Sequence, residues 1–206
     1  SIFSDNEADL GGAIYIAASY GETTLVVDNV IFENNFVTDG GSAIAVRALG
    51  KDATFTITNS VFDNNTMSDL NNPAGCGAVY IVGDNGGKAS GTIEGSVFTN
   101  NSASSNGLAN GGAIKVEFNS AVTIKDCAFA ENKATVSGGA IDLQANTGMN
   151  PEVTVDDCIF VGNDAMAGAA IASLNNVGEG TLTIINSTFD DNVATVAGGA
   201  VYSDRS

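Results

Sequence analysis

Two acidic doublets, Asp156-Asp157 and Asp190-Asp191, are the residues best suited to bond-breaking chemistry. A pair of carboxyls across a cleft, one of them held protonated, can cleave a glycosidic bond. Proton abstraction beside a uronate asks instead for Arg or Lys. The only arginines are Arg47, read here as lying in a loop, and Arg205 at the extreme end. Histidine is absent, which removes the commonest general base and the commonest neutral metal ligand. Three cysteines, Cys76, Cys127 and Cys158, form no Cys-x-x-Cys pair and so do not describe a zinc site. Gly83-Asp84-Asn85-Gly86-Gly87 brings too few carboxylates together for calcium. The expectation is a protein with no metal and no cofactor.

Composition narrows the partners. The 206 residues carry 24 acids against 7 Lys and Arg, a net charge of −17. Such a surface repels phosphate backbones and anionic lipid, so no nucleic acid is expected as partner. No apolar run approaches the roughly 20 residues of a spanning helix, so no membrane insertion by this segment is expected.

What positions the candidate residues is a repeat. Phe-x-x-Asn occurs seven times, at Phe3/Asn6, Phe32/Asn35, Phe62/Asn65, Phe98/Asn101, Phe129/Asn132, Phe160/Asn163 and Phe189/Asn192, with Phe spacings of 29, 30, 36, 31, 31 and 29. A small-small-Ala-aliphatic motif follows each, from Gly11-Gly12-Ala13-Ile14 to Gly198-Gly199-Ala200-Val201. Before every Phe but the first lies a segment of period-2 alternation, such as Val122-Thr123-Ile124. No 3.6-residue apolar stripe occurs. A repeat of this length with three short strands cannot bury its apolar face alone and must stack on its neighbours. The expectation is an all-β chain, a right-handed parallel β-helix of about seven coils with three short strands per coil, forming a single domain over residues 1–206.

Alternation assigns the faces. The seven Phe point inward and stack as a column, beside a second column running from Ile14 to Val201. Asn29, Asn59, Gly95, Asp126, Asp157 and Asn186, three before Phe, tolerate left-handed φ and mark a corner. Asn6, Asn35, Asn65, Asn101, Asn132, Asn163 and Asn192 form an asparagine ladder, each amide bonding to its neighbours one coil away. In this frame Asp157 is a corner residue. Asp190-Asp191 aligns with Glu33-Asn34, Asp63-Asn64 and Thr99-Asn100, plain surface positions. No catalytic residue remains, and the chain is expected not to be an enzyme.

Cys127 and Cys158 share one slot on adjacent coils, where Ser60, Ser96 and Ser187 stand elsewhere. Cα atoms about 4.8 Å apart suit a disulfide, though parallel Cβ vectors oppose it, so a bond and two small inward thiols both stay open. Outward Glu94, Lys125 and Asp156 should stack as an acid–base–acid ladder. Thr56, Thr92, Thr123, Thr154 and Thr183 form an outward column, and Ile2, Ile31, Val61, Val97, Ala128 and Ile159 an outward apolar stripe. Segments 17–24, 47–54, 82–90, 117–121, 144–152 and 175–181, with the turns 66–75 and 102–110, vary most and read as loops.

The paired Phe-x-x-Asn and Gly-Gly-Ala-Ile motifs resemble the repeats of the polymorphic outer-membrane proteins, autotransporter adhesins, over the whole chain. The resemblance implies a non-catalytic, extracellular, cell-surface rod that displays loops for attachment to a protein or glycan. The chain starts and stops inside repeats, which reads as a module of a longer surface protein. Further coils of the same polypeptide or other copies are the partners expected at its ends. A filament subunit stacking end to end and a polysaccharide lyase or glycosidase are the alternatives.

Overall fold

The computed structural model describes residues 1–69, 75–105, 109–175 and 178–204. Arg205 and parts of the turns 66–75, 102–110 and 175–181 lie outside the described residues. All paired strands are parallel, and they form four sheets with seven, seven, seven and six strands. The chain therefore completes six turns and adds three strands of a seventh, as a solenoid with no helix among the described residues.

Each coil holds four strands, not three. The first sheet carries the Phe residues, from Ile2–Ser4 to Thr188–Asp190. The second follows the ladder Asn, from Glu7–Ala8 to Val193–Ala197. The third follows the Ala-aliphatic motif, from Ile14–Ala18 to Val201–Asp204. The fourth precedes Phe, from Thr23–Asp28 to Thr181–Ile185. The second sheet escapes sequence reading because it includes strands of two residues, such as Phe36–Val37 and Lys133–Ala134, too short to alternate.

Sharp corners join these sheets. Asn29, Asn59, Gly95, Asp126, Asp157 and Asn186 have φ between 49° and 59°. A second left-handed column stands immediately before the ladder: Asp5, Asn34, Asn64, Asn100, Glu131, Gly162 and Asp191, with φ between 50° and 64°. Asn34 and Asp191 are therefore corner residues as well as surface ones. Left-handed φ costs about 1–2 kcal/mol for most side chains and least for Asn, Asp and Gly, which explains the acids and amides found there.

The interior is apolar and layered by coil. Consecutive phenyl rings from Phe3 to Phe189 stack at centroid distances of 4.6–5.1 Å, tilted by only 3° to 8°. Ile44, Val79, Ile114, Ile141 and Ile171 are fully buried beside them, as are Ile57, Ile93, Ile124 and Val155 from the fourth sheet.

Candidate functional site

The ladder is a closed hydrogen-bond system. The backbone N–H of each Asn from Asn6 to Asn163 donates to Oδ1 of the next ladder Asn at 3.0–3.2 Å. The side-chain Nδ2 donates to the same oxygen at 2.8–3.0 Å. From Asn35 to Asn192, Nδ2 also donates to the Phe carbonyl of the preceding coil, at 2.9–3.1 Å. Asn35, Asn65, Asn101, Asn132 and Asn163 are fully buried. With both amide hydrogens used and Oδ1 accepting twice, they have nothing left to offer a ligand.

Cys127 and Cys158 continue a second, shorter ladder. Val30 N–H donates to Ser60 Oγ at 3.2 Å, Ser60 N–H to Ser96 Oγ at 3.1 Å and Cys158 N–H to Ser187 Oγ at 3.2 Å. Each hydroxyl donates to the carbonyl two residues earlier. Both thiols copy that bond, Cys127 Sγ to Lys125 O at 3.1 Å and Cys158 Sγ to Asp156 O at 3.2 Å. All three cysteines are free and buried. The Cys158 sulfur beside it, then burial, raises the Cys127 thiol far above an ordinary one. The Cys127 sulfur in turn lowers Cys158, against burial. The structure holds two thiols here, with no disulfide between them.

The outer surfaces differ from the sequence reading in two places. Glu94, Lys125 and Asp156 are register neighbours, yet the ion pair Lys125 makes is with Asp126, at 3.7 Å. Arg47 lies within the strand Ile44–Leu49 rather than in a loop. The strands Val79–Asp84 and Ile114–Phe118 likewise run past the expected loop starts, because each pairs along its length with the coil beside it. The Thr column from Thr56 to Thr183 is in register, as is the stripe from Ile2 to Ile159.

A polar cluster that the repeat pattern did not reveal lies on the outer face of the third sheet. Tyr80, Lys115 and Asp142 are consecutive register partners, and Glu117 stands two residues beyond Lys115. Alternation points these side chains away from the solenoid core, yet Lys115 is 2% exposed, Tyr80 5%, Glu117 6% and Asp142 0%. The cover includes Cys76, which packs with Ala45, Tyr80 and Val82, and Ser137, which bonds Asp142. Lys115 Nζ pairs with Glu117 Oε1 at 2.9 Å, and Tyr80 OH donates to Glu117 Oε2. Burial, then the Glu117 charge, holds the Tyr80 phenol well above its usual range. Burial also pushes the Cys76 thiol up to about 12. It raises the Asp142 carboxyl to about 7, against the pull of Lys115. One signal was available in the sequence: the outward positions of this strand carry Tyr80, Lys115, Glu117 and Asp142 in the middle coils, where Ala17, Ala45 and Ala172 stand in others.

Acid, base and phenol thus meet in one place, but sealed from solvent. Asp156-Asp157 and Asp190-Asp191, by contrast, occupy two strand ends and two exposed corners. Among the described residues, no group of three His, Cys, Asp or Glu is placed to hold a metal ion.

Neither the curated proteins nor the solved structures contain a match to this chain. Residues 1–17 match the Chlamydia polymorphic membrane protein repeat, a stretch spanning Phe3, Asn6 and Gly11-Gly12-Ala13-Ile14. Residues 78–206, more than half of the chain, match the family described as the right handed beta helix region, and the chain belongs to that family.

Proposed function

We propose that the protein is a non-catalytic, adhesin-like rod of a cell-surface protein, presenting its outer faces and turns for attachment. One observation carries this reading. The recurring residues are consumed by the core, the corners and the two ladders, while the groups able to do acid–base chemistry together are sealed beneath the third sheet's cover. What remains for recognition is the outer surface, where Ile2 and Ile159 of the apolar stripe are more than half exposed. A neighbouring cell's protein or glycan is the partner such a surface would meet. Further coils of the same polypeptide, or another copy, would pack on the two end coils.

Beads coated with the protein should attach to cells or extracellular matrix above beads carrying an unrelated acidic protein. A panel of uronate and neutral polysaccharides should show no turnover. Depolymerisation abolished by Glu117→Ala, with attachment absent, would replace this reading with the carbohydrate-enzyme one. Labelling of intact source cells by a membrane-impermeant reagent checks the surface location.

A further inference from the structure

Ser137 Oγ lies 2.8 Å from Asn110 Oδ1 and 2.7 Å from Asp142 Oδ1. A hydroxyl has one hydrogen, so it can donate to only one of these oxygens and must accept from the other. An amide oxygen cannot donate, and neither can an ionised carboxylate. A protonated Asp142 completes the chain, its O–H donating to Ser137 Oγ and the Ser137 O–H donating to Asn110 Oδ1. The other carboxyl oxygen, Asp142 Oδ2, is buried with no hydrogen-bond partner in range among the described residues, an unfavourable place for a negative charge. We propose that Asp142 is a proton-holding switch: as a neutral acid it fastens the Asn110 turn of one coil to the Ser137 turn of the next, and on ionising it releases them.

The surroundings fit that role. From the neighbouring coil, Lys115 faces Asp142 directly, with Glu117 beside it and Tyr80 and Cys76 behind. Lys115 is already paired with Glu117 at 2.9 Å, which leaves Asp142 with only part of its charge. On its own coil Asp142 has Ser137 and Gln144, and on the far flank its register partner is uncharged Ala172. Burial is the largest influence on the carboxyl, raising it from 3.8 to about 7, while Lys115 and Ser137 oppose the rise. The fastened state therefore holds the proton more tightly than the released one. Its advantage is complete below about 3.8, is lost as pH rises to about 7, and stays constant above that. This inference goes beyond the surface-rod reading and does not depend on it.

The test compares wild type with Asp142→Asn, whose amide can donate to Ser137 at any pH. At about pH 6 the wild-type infrared spectrum should contain a buried protonated-carboxyl band that Asp142→Asn lacks. Hydrogen exchange should be followed at 109–112 and 136–138, where Gly111 N–H donates to Ser137 O and Val136 N–H to Ala109 O, both at 2.9 Å. Taking the wild-type rate relative to Asp142→Asn at each pH cancels the intrinsic pH dependence of exchange. That ratio should climb at least about tenfold between about pH 4 and about pH 7 and then level off. Should Asp142→Asn fail to fold, Ser137→Ala should keep the wild-type band but shift it, because the acid loses its acceptor. An Asn110 amide turned over, with Asp142 ionised, predicts no band and a flat ratio, and either result overturns the proposal.

Discussion

Asn101 directs two donors at one atom of the next coil: its backbone N–H and its Nδ2 meet Asn132 Oδ1 at 3.1 and 3.0 Å. Asn132 in turn donates to Phe98 O and to Asn163 Oδ1, both at 3.0 Å. Asn132→Ala would strand these partners in a fully buried turn, where an unmade hydrogen bond costs about 1–3 kcal/mol. Denaturant unfolding should show that loss as a lower midpoint with little change in slope.

Asn34 provides the contrast. The Asn64 Nδ2 donates to its Oδ1 at 2.7 Å, but on the exposed side of the turn, and Asn34 has φ of 56°. Its replacement by Ala should cost about 1 kcal/mol, mostly from forcing Ala into the left-handed region, and Asn34→Gly should cost less. Equal losses for Asn34→Ala and Asn34→Gly would show that the lost amide contact, not the backbone, sets the cost.

How much of this could be read from sequence follows from what repeats. The ladder, Phe and corner positions recur in every coil, so their alignment exposes them. The second sheet does not announce itself, since Phe36–Val37 and Lys133–Ala134 are too short to carry a period. Lys115, Glu117 and Asp142 are only faintly legible, for another reason. Alternation separates inward from outward, and an outward residue ordinarily meets solvent. Nothing in a two-residue period reports that Cys76 and Ser137 wrap onto that outer face.

Gly91 makes room for Phe55. The two are register partners pointing into the core, and a Cβ on Gly91 would lie 2.6 Å from Phe55 Cγ and 2.2 Å from Phe55 O. Gly91→Ala should therefore destabilise by about 1–3 kcal/mol through overpacking. Phe55→Leu should recover part of the loss, and a double-mutant cycle with no coupling between the two sites would refute this account.

The thiols at 127 and 158 stand in for serine. Cys127→Ser and Cys158→Ser keep a donor to Lys125 O and Asp156 O, in the slot where Ser60, Ser96 and Ser187 make the same bond. Each should change stability by less than about 1 kcal/mol. Ser96→Ala strands the buried Ser60 N–H and should cost more, about 1–3 kcal/mol. Thermal unfolding of the three variants in reducing buffer ranks them, and a large loss for either cysteine variant would contradict the substitution logic.

The end coils predict how this chain behaves in solution. Among the described residues, the strands Thr188–Asp190 and Val193–Ala197 each pair on one flank only, leaving backbone N–H and C=O groups along the other. Val193 and Val196 are 61% and 71% exposed beside them. Open edges of this kind accept another strand, and exposed valines favour it. Against this stands a net charge of −17 on every copy. Screening shortens the reach of that repulsion from roughly 10 Å at 0.1 M salt to roughly 3 Å at 1 M, while edge hydrogen bonding acts at contact and is barely screened. Sedimentation velocity should therefore show mainly monomer at low salt and axial dimers or longer stacks as salt rises. Val196→Lys should suppress them by placing a charge at the edge. Monomer at every ionic strength, with slowly exchanging amides in Val193–Ala197, would show that the edge is covered by the chain's own residues.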